Sequence, residues 1–247
     1  MNHITAAGME TWWFLILEFA VSLSLILLSG RQPFPGPSKR YGWLLLTVAL
    51  LLTIGETAPR PTSLSVHLYL LLAFGSIGLF KGVQNMIVTR EEVIVAPFAG
   101  ILFSVSVTAM MSQQWDELSK FEEFAEFGTI VVIGLGQIWL IFRGLLIGRL
   151  PLAWSKAGLL ALQRGQISSN RGAIACFEKA WDLEEEHLNP MAWFALSRIY
   201  SFMGNEQEEV HWKNRLHEAG GEDAVASEWV EAIDDAISKI ESLQAES

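Results

Sequence analysis

Charged residues are scarce in this chain: only 18% of its 247 residues are Asp, Glu, Lys or Arg, against about a quarter in an average soluble domain. Cysteine is rarer still. Cys176 stands alone, which excludes an intramolecular disulfide and leaves the redox compartment unread. No dense basic patch occurs and the formal net charge is −10, so nucleic acid is not an expected partner. Metal-ligand clusters, phosphate-binding loops and nucleophile–base motifs are also missing; His211 and His217, for example, are spaced wrongly for one helical face. The chain does not read as an enzyme, and no catalytic residue, cofactor or metal is expected. The stretch Thr129–Trp139, TIVVIGLGQIW, begins like a dinucleotide-binding turn at Gly134 and Gly136. Trp139 then stands where the third glycine belongs, and no acid follows at the ribose-binding distance. These glycines read instead as small residues that let membrane helices approach closely.

What the chain has in abundance is apolar surface, 51% of its residues. Its charge is unevenly spread. Residues 1–150 hold 9 basic and 10 acidic side chains, whereas residues 151–247 hold 8 and 17. That break divides the chain into a nearly neutral membrane part and an acidic helical part.

Five stretches in the first part approach the roughly 20 apolar residues that cross a bilayer: Trp12–Ser29, Tyr41–Gly55, Leu64–Phe80, Val93–Met111 and Phe127–Phe142. The second is short alone but can extend to Ala58; the third and fifth can run on past Lys81 and Arg143. The expected spans are about 12–29, 41–58, 64–83, 93–111 and 127–147. Between them lie loop chemistries: GRQPFPGPSKR at 30–40 and ETAPRPTS at 56–63 are too rich in proline to continue a helix. Asp116–Phe127 is expected to form a short interfacial helix with Phe121, Phe124 and Phe127 on one side.

Lys and Arg beside the short loops set the orientation. The tail before Trp12 has none, and the successive loops carry Arg31, Lys39 and Arg40; Arg60; Lys81 and Arg90; Lys120; then Arg143, Arg149 and Lys156. The alternation predicts five spans with the N-terminus outside and residues 151–247 in the cytoplasm, in a plasma or inner membrane. A cleaved signal peptide would carry its basic residues before the apolar run; here they follow it, and Glu18 interrupts it.

Glu18, His67 and Gln137 are polar residues inside the predicted apolar stretches. Counted from the outer ends, Glu18 lies about 9 Å deep and His67 about 5 Å, so the two can meet if the first and third helices pack. The three residues form either a proton or solute pathway or a set of interhelical hydrogen bonds, and their sparseness favours the bonds.

The second part reads as amphipathic helices at Leu152–Gln163, Arg171–Glu185, Pro190–Met203, Glu206–Ala219 and Glu222–Gln244, the last with Trp229, Ile233, Ile237 and Ile240 at helical spacing. In the third, Trp193, Leu196, Ser197, Tyr200 and Gly204 stand on all five positions of the helix A signature of tetratricopeptide repeats, which this segment resembles. Ala173, Phe177 and Ala180 resemble helix B of a preceding repeat. A register of 36 residues puts Ala157, Leu160 and Ala161 at that repeat's helix A positions, with the extra residues in the turn at 184–189. Arg164 replaces the expected Tyr, and Glu209 and Lys213 replace the Ala and Phe of the second helix B. The resemblance covers about 153–220, as repeats at about 153–186 and 190–220, with a capping helix at about 222–244. Cys176 is expected to be a small core residue.

The fold class expected is all-α: a polytopic membrane bundle of about five helices, then a cytoplasmic tetratricopeptide-like hairpin array with a C-terminal capping helix. The resemblance implies protein binding in a concave groove, lined here by Met191, Phe194, Arg198 and Ser201. The function expected is a membrane-embedded scaffold or assembly factor whose partners are the lipid bilayer and proteins of a membrane complex. The alternative is a small transporter or channel subunit with a regulatory repeat domain.

Overall fold

The computed structural model describes residues 2–115, 118–146, 150–182 and 189–245. All regular structure among them is helical, and the chain divides into two compact units, Met1–Gly148 and Arg149–Ser247. That division falls two residues from the boundary expected on charge. The expected ends of the fifth span at 147 and of the first repeat at 186, the turn at 184–188, and the side chains of Asp116 and Arg149 lie outside the described residues.

The first unit holds α1 (Asn2–Ser29), α2 (Gly36–Glu56), α3 (Leu64–Val83), α4 (Val95–Ser112) and α5 (Lys120–Ile141). A π-helical turn follows α3 at Gln84–Thr89 and another follows α5 at Phe142–Leu146. Among the described residues four helical segments are long and apolar enough to cross a membrane: Thr11–Ser29, Leu64–Thr89, Val95–Ser112 and Lys120–Gly144. The fifth expected span, α2, is not among them. Its 21 residues reach about 31 Å at 1.5 Å each, but Lys39, Arg40 and Glu56 lie within them and dilute the apolar run. The helix also starts earlier and ends earlier than 41–58. Pro37 fits the first turn, where its missing N–H would have no helical partner anyway. At the other end, Thr57 closes the last turn with a bond to the Thr53 carbonyl.

Each helix of this unit runs antiparallel to the next. Thr11, early in α1, bonds to Glu56 at the end of α2, while Gly42 of α2 sits against Ser22, Leu25 and Ile26 of α1. Tyr41 donates to the Phe74 carbonyl of α3 at 2.8 Å. Gly75 and Gly82 of α3 press on the backbone of Phe103 and Ala96 in α4. Gln137 of α5 donates to the Pro97 carbonyl of α4 at 2.8 Å. The α3–α4 reversal is fixed by Glu92, fully buried, whose Oε2 accepts the backbone N–H groups of Ile94 and Val95 at 3.1 Å each. The expected interfacial helix at 116–127 is not a separate element. Ser119 and Glu122 form a reciprocal capping box that starts α5 directly, so Phe121, Phe124 and Phe127 are exposed residues of its first turns.

The second unit holds α6 (Pro151–Gln163), α7 (Ala173–Asp182), α8 (Pro190–Phe202), α9 (Glu206–Glu218) and α10 (Ser227–Ala245). α6 pairs with α7, α8 with α9, and α7 joins the two hairpins by packing on α8. Asn189 strengthens that joint: its Oδ1 caps α8 through the Ala192 N–H, and its Nδ2 donates to the Ala180 carbonyl of α7. Phe177, Phe194, Leu162, Leu196, Ile199 and Ile233 are fully buried in one core.

Between α6 and α8 the landmarks stand further apart than the expected 36, which the buried residues Cys176 and Trp212 of α7 and α9 keep. Pro151, Trp154 and Gly165 of the first correspond to Pro190, Trp193 and Gly204 of the second, an offset of 39 in each case: both prolines open their helices, both tryptophans are buried, and both glycines take positive φ. The cause is the connection at 164–172, longer than its counterpart at 203–205. Leu160, expected at a signature position, is accordingly 40% exposed, while Trp154 is 5% exposed. The inward face of α9 is carried by Trp212 and Leu216; Glu209 and Lys213 form an ion pair on its outside.

Candidate functional site

The three intramembrane polar residues do not meet one another through any hydrogen bond of the structure. His67, fully buried, has its Nε2 2.8 Å from Oε1 of Glu56. Thr62 donates to the same oxygen at 2.6 Å, and Thr11 donates to Oε2 at 3.2 Å. One carboxylate therefore ties α1, α2, α3 and the α2–α3 loop together at one end of the unit. The expected pairing of His67 with Glu18 is replaced by this one. Glu56 lies at the last residue of α2, and the antiparallel register of α2 and α3 brings it level with the first turn of α3. Sequence reading missed Glu56 by assigning it to a loop, although an acid beside an apolar run and next to ETAPRPTS is the available signal.

Glu18 is 1% exposed, and its Oε2 has no hydrogen-bond partner. Gln137 spends its amide N–H on Pro97; its Oε1 is buried without a partner and packs where a Cβ on Gly100 would stand. The arrangement supplies local interhelical bonds at two places and one buried carboxyl with an unpartnered oxygen. It does not supply a continuous file of polar groups.

In the second unit the face expected to bind a partner is occupied by the chain itself. α10 packs on α6 and α8, with Trp229, Ile233, Ala236 and Ile240 buried. Phe194 is fully buried. The Met191 carbonyl accepts the Trp229 indole N–H at 3.1 Å. Arg198 stands over the Phe194 ring at 5.0 Å and pairs with Glu222 at 3.4 Å and Asp234 at 3.3 Å. Ser201 alone of the four is exposed. The capping helix thus lies across the α6–α8 face. Its pattern of Trp and Ile announced an apolar stripe but not which surface would receive it.

What remains open beside α10 is a shallow cleft of about 410 Å³ lined by Arg198, Ser201, Phe202, Asp234, Ile237, Ser238 and Glu241. Electrostatics nearby are acidic. Hydrogen bonds from Lys213 and then Ser201 hold the Glu209 carboxyl below the usual carboxylate range. Burial, and then the charge of Glu208, pushes Glu178 up. Cys176 is 3% exposed, and burial pushes its thiol up, as suits an inert core residue. Among the described residues no group of three or more His, Cys, Asp or Glu is placed to hold a metal ion.

No family model, curated protein or solved structure matches the chain.

Proposed function

We propose that this protein is a membrane-embedded scaffold or assembly factor: its helices sit beside a membrane complex, and its acidic helical unit recruits a protein partner from the cytoplasm. The observation that carries the reading is the separate use of the intramembrane polar groups. His67 is committed to Glu56 and Gln137 to Pro97, which is how membrane helices are held together, while a transporter needs such groups to communicate. The five-span topology with the N-terminus outside is part of the proposal. It is supported by α2 running antiparallel between α1 and α3, although α2 itself is less apolar than the other four.

The tetratricopeptide likeness belongs to the same proposal. Trp193, Leu196 and Ser197 are buried at the positions that the repeat signature reserves for packing, and Gly204 closes the helix with φ +70°. Because α10 covers Met191, Phe194 and Arg198, the partner is expected on the surfaces α10 leaves open, of which the Ser201–Glu241 cleft is one.

Purification of the full chain in mild detergent, followed by mass spectrometry, tests the proposal: membrane-complex subunits are expected in stoichiometric amounts. One observation favours a second reading, a small transporter or channel subunit, namely the unpartnered buried oxygen of Glu18. Substrate-dependent flux in proteoliposomes containing this chain alone, with no co-purifying partner, would put that reading first.

A further inference from the structure

The two ends of the membrane unit differ in charge. Arg31, Lys39, Arg40, Lys81 and Arg90 all lie at the end where α1 stops, α2 begins, α3 stops and α4 begins. That common end is fixed by the bond from the Val93 N–H to Gln32 and by Gly82 against Ala96. Among the described residues of this unit only Glu91 and Glu92 offset these cations there, and Glu92 is fully buried, with its carboxylate spent on the start of α4. Lys39 and Arg40 are exposed and have no acidic partner among the described residues.

These two cations head a groove. It runs along α2 over Gly36, Lys39, Arg40, Trp43, Leu44 and Thr47, with a volume of about 560 Å³. Trp43 and Leu44 are half exposed, at 52% and 50%. From Arg40 to Thr47 the helix rises about 10 Å, which is the step from a headgroup into the upper acyl chains. The groove therefore has two cations and an indole at the headgroup level and an apolar wall beneath. Tryptophan is favoured at that interface, and basic residues there attract anionic lipid.

We propose that this groove binds an anionic phospholipid of the leaflet at that end, with the lipid phosphate on Lys39 and Arg40 and an acyl chain along Trp43, Leu44 and Thr47. The proposal rests on the reading that this unit crosses a membrane. The chemistry it requires is a phosphate joined to a hydrocarbon chain: a free phosphate would use only the cations, and a zwitterionic lipid would gain little from them.

Native mass spectrometry of the full chain in mild detergent tests it, with phosphatidylglycerol, phosphatidylethanolamine and inorganic phosphate as probes. The wild-type protein is expected to retain phosphatidylglycerol over phosphatidylethanolamine. The Lys39→Ala, Arg40→Ala double variant should retain it at least about tenfold less. The charge-conserving Lys39→Arg, Arg40→Lys variant should keep it, and Arg60→Ala, at the opposite end of the unit, should leave it unchanged. Equal retention of phosphatidylglycerol by wild type and the double alanine variant overturns the proposal. So does equal retention of the two lipids, or displacement of phosphatidylglycerol by inorganic phosphate at matching concentration. Release of the chain from membranes by alkaline carbonate would overturn the membrane reading and this inference with it, whereas failure of lipid selectivity alone leaves the spans in place.

Discussion

The two units of this protein place their aromatic side chains on opposite sides of their helices. In the membrane unit, large apolar side chains point outward: Trp13, Leu27 and Phe80 are 68%, 77% and 71% exposed. What is buried between the helices is not aromatic: leucines such as Leu25, Leu45, Leu71 and Leu102 lie there with Ser22, Ser106, Glu18 and His67. In the second unit the order is reversed. Phe177, Phe194, Leu196 and Ile199 are buried without residual exposure, and the charges are outside. In water, removing apolar surface drives association. In lipid it gains nothing, so helices are held by close backbone approach and by hydrogen bonds. One chain therefore shows both rules, and substitutions can separate them.

The largest effect is expected where glycine lets two membrane helices touch. A Cβ on Gly75 would stand 2.6 Å from the Phe103 backbone nitrogen and 2.9 Å from its Cα. Backbone cannot step aside as a flexible side chain can. Gly75→Leu is expected to abolish the monodisperse peak of the full chain in detergent. Gly134→Leu makes the same chemical change on α5, where a Cβ would meet nothing within 4 Å, and should leave the peak intact. Equal behaviour of the two variants would break the claim that glycine serves helix contact here.

The next effect belongs to the second unit. Phe177 is fully buried, touches Trp229 edge-to-face at 6.3 Å and fills the space above Gly158. Phe177→Ala is expected to cost about 3–5 kcal/mol, the range for truncating a buried aromatic. Cys176 supplies the reporter: it is the only cysteine and is buried beside Phe177. A thiol-reactive fluorophore will label it when this unit opens. Labelling of Phe177→Ala at an unchanged temperature would show that the core is not centred there.

How much of this was legible in the sequence depends on the range of the interaction involved. The third apolar stretch was expected at 64–83, and α3 covers Leu64–Val83 within an apolar segment that runs on to Thr89, because hydropathy is a property of neighbours in the chain. The pairing of Glu56 with His67 requires the register between two helices, which no local pattern encodes. The Pro-rich stretch at 30–40 was read as wholly non-helical, yet α2 starts inside it at Gly36, since proline obstructs a helix interior and not its first turn. In the second unit the buried faces of α7 and α8 were legible from Ala173, Phe177, Trp193 and Leu196. The seat of α10 was not: an amphipathic helix announces that it will be covered, and the choice among covering surfaces is tertiary. The offset of 39 between α6 and α8 was hidden for a related reason. The longer connection at 164–172 sets α6 further back along the sequence from α7, and Trp154 marks its buried face.

A third effect, smaller again, separates two buried carboxylic acids of the membrane unit. Glu56 accepts hydrogen bonds from three side chains on different elements, whereas one oxygen of Glu18 accepts none. Glu56→Ala leaves His67, Thr11 and Thr62 without that acceptor. It should lower the temperature at which half of the detergent peak is lost, by the equivalent of about 1–2 kcal/mol for interhelical bonding. Glu18→Gln, which keeps the shape, should be neutral for folding. If it instead leaves a folded protein that retains its partners yet loses activity in cells, Glu18 acts on a ligand or proton and the transport reading gains. If Glu18→Gln destabilises as much as Glu56→Ala, the contrast between a fully engaged carboxyl and one with an unpartnered oxygen fails.

The smallest effect concerns one raised carboxyl of the second unit, Glu178. Burial first, and the Glu208 charge second, raise Glu178 above its ordinary value of 4.5. A carboxyl raised in the folded state binds its proton more tightly there than in the unfolded chain. Between 4.5 and the raised folded value the native protein therefore holds more protons, and stability falls as pH increases across that window. The resulting penalty is absent below the window and complete above it. Glu178→Gln removes it, so the variant should unfold at a higher temperature than wild type at pH 7.5 and at the same temperature near pH 4. Glu178 is exposed on α7, and solvent screens such charges, so the gain at pH 7.5 should be at most about 2 °C. Cys176 labelling measures it on the unit that contains it. A gain of equal size at both pH values would assign the effect to helix propensity instead of charge, and a loss at pH 7.5 would mean that Glu178 has a stabilising partner.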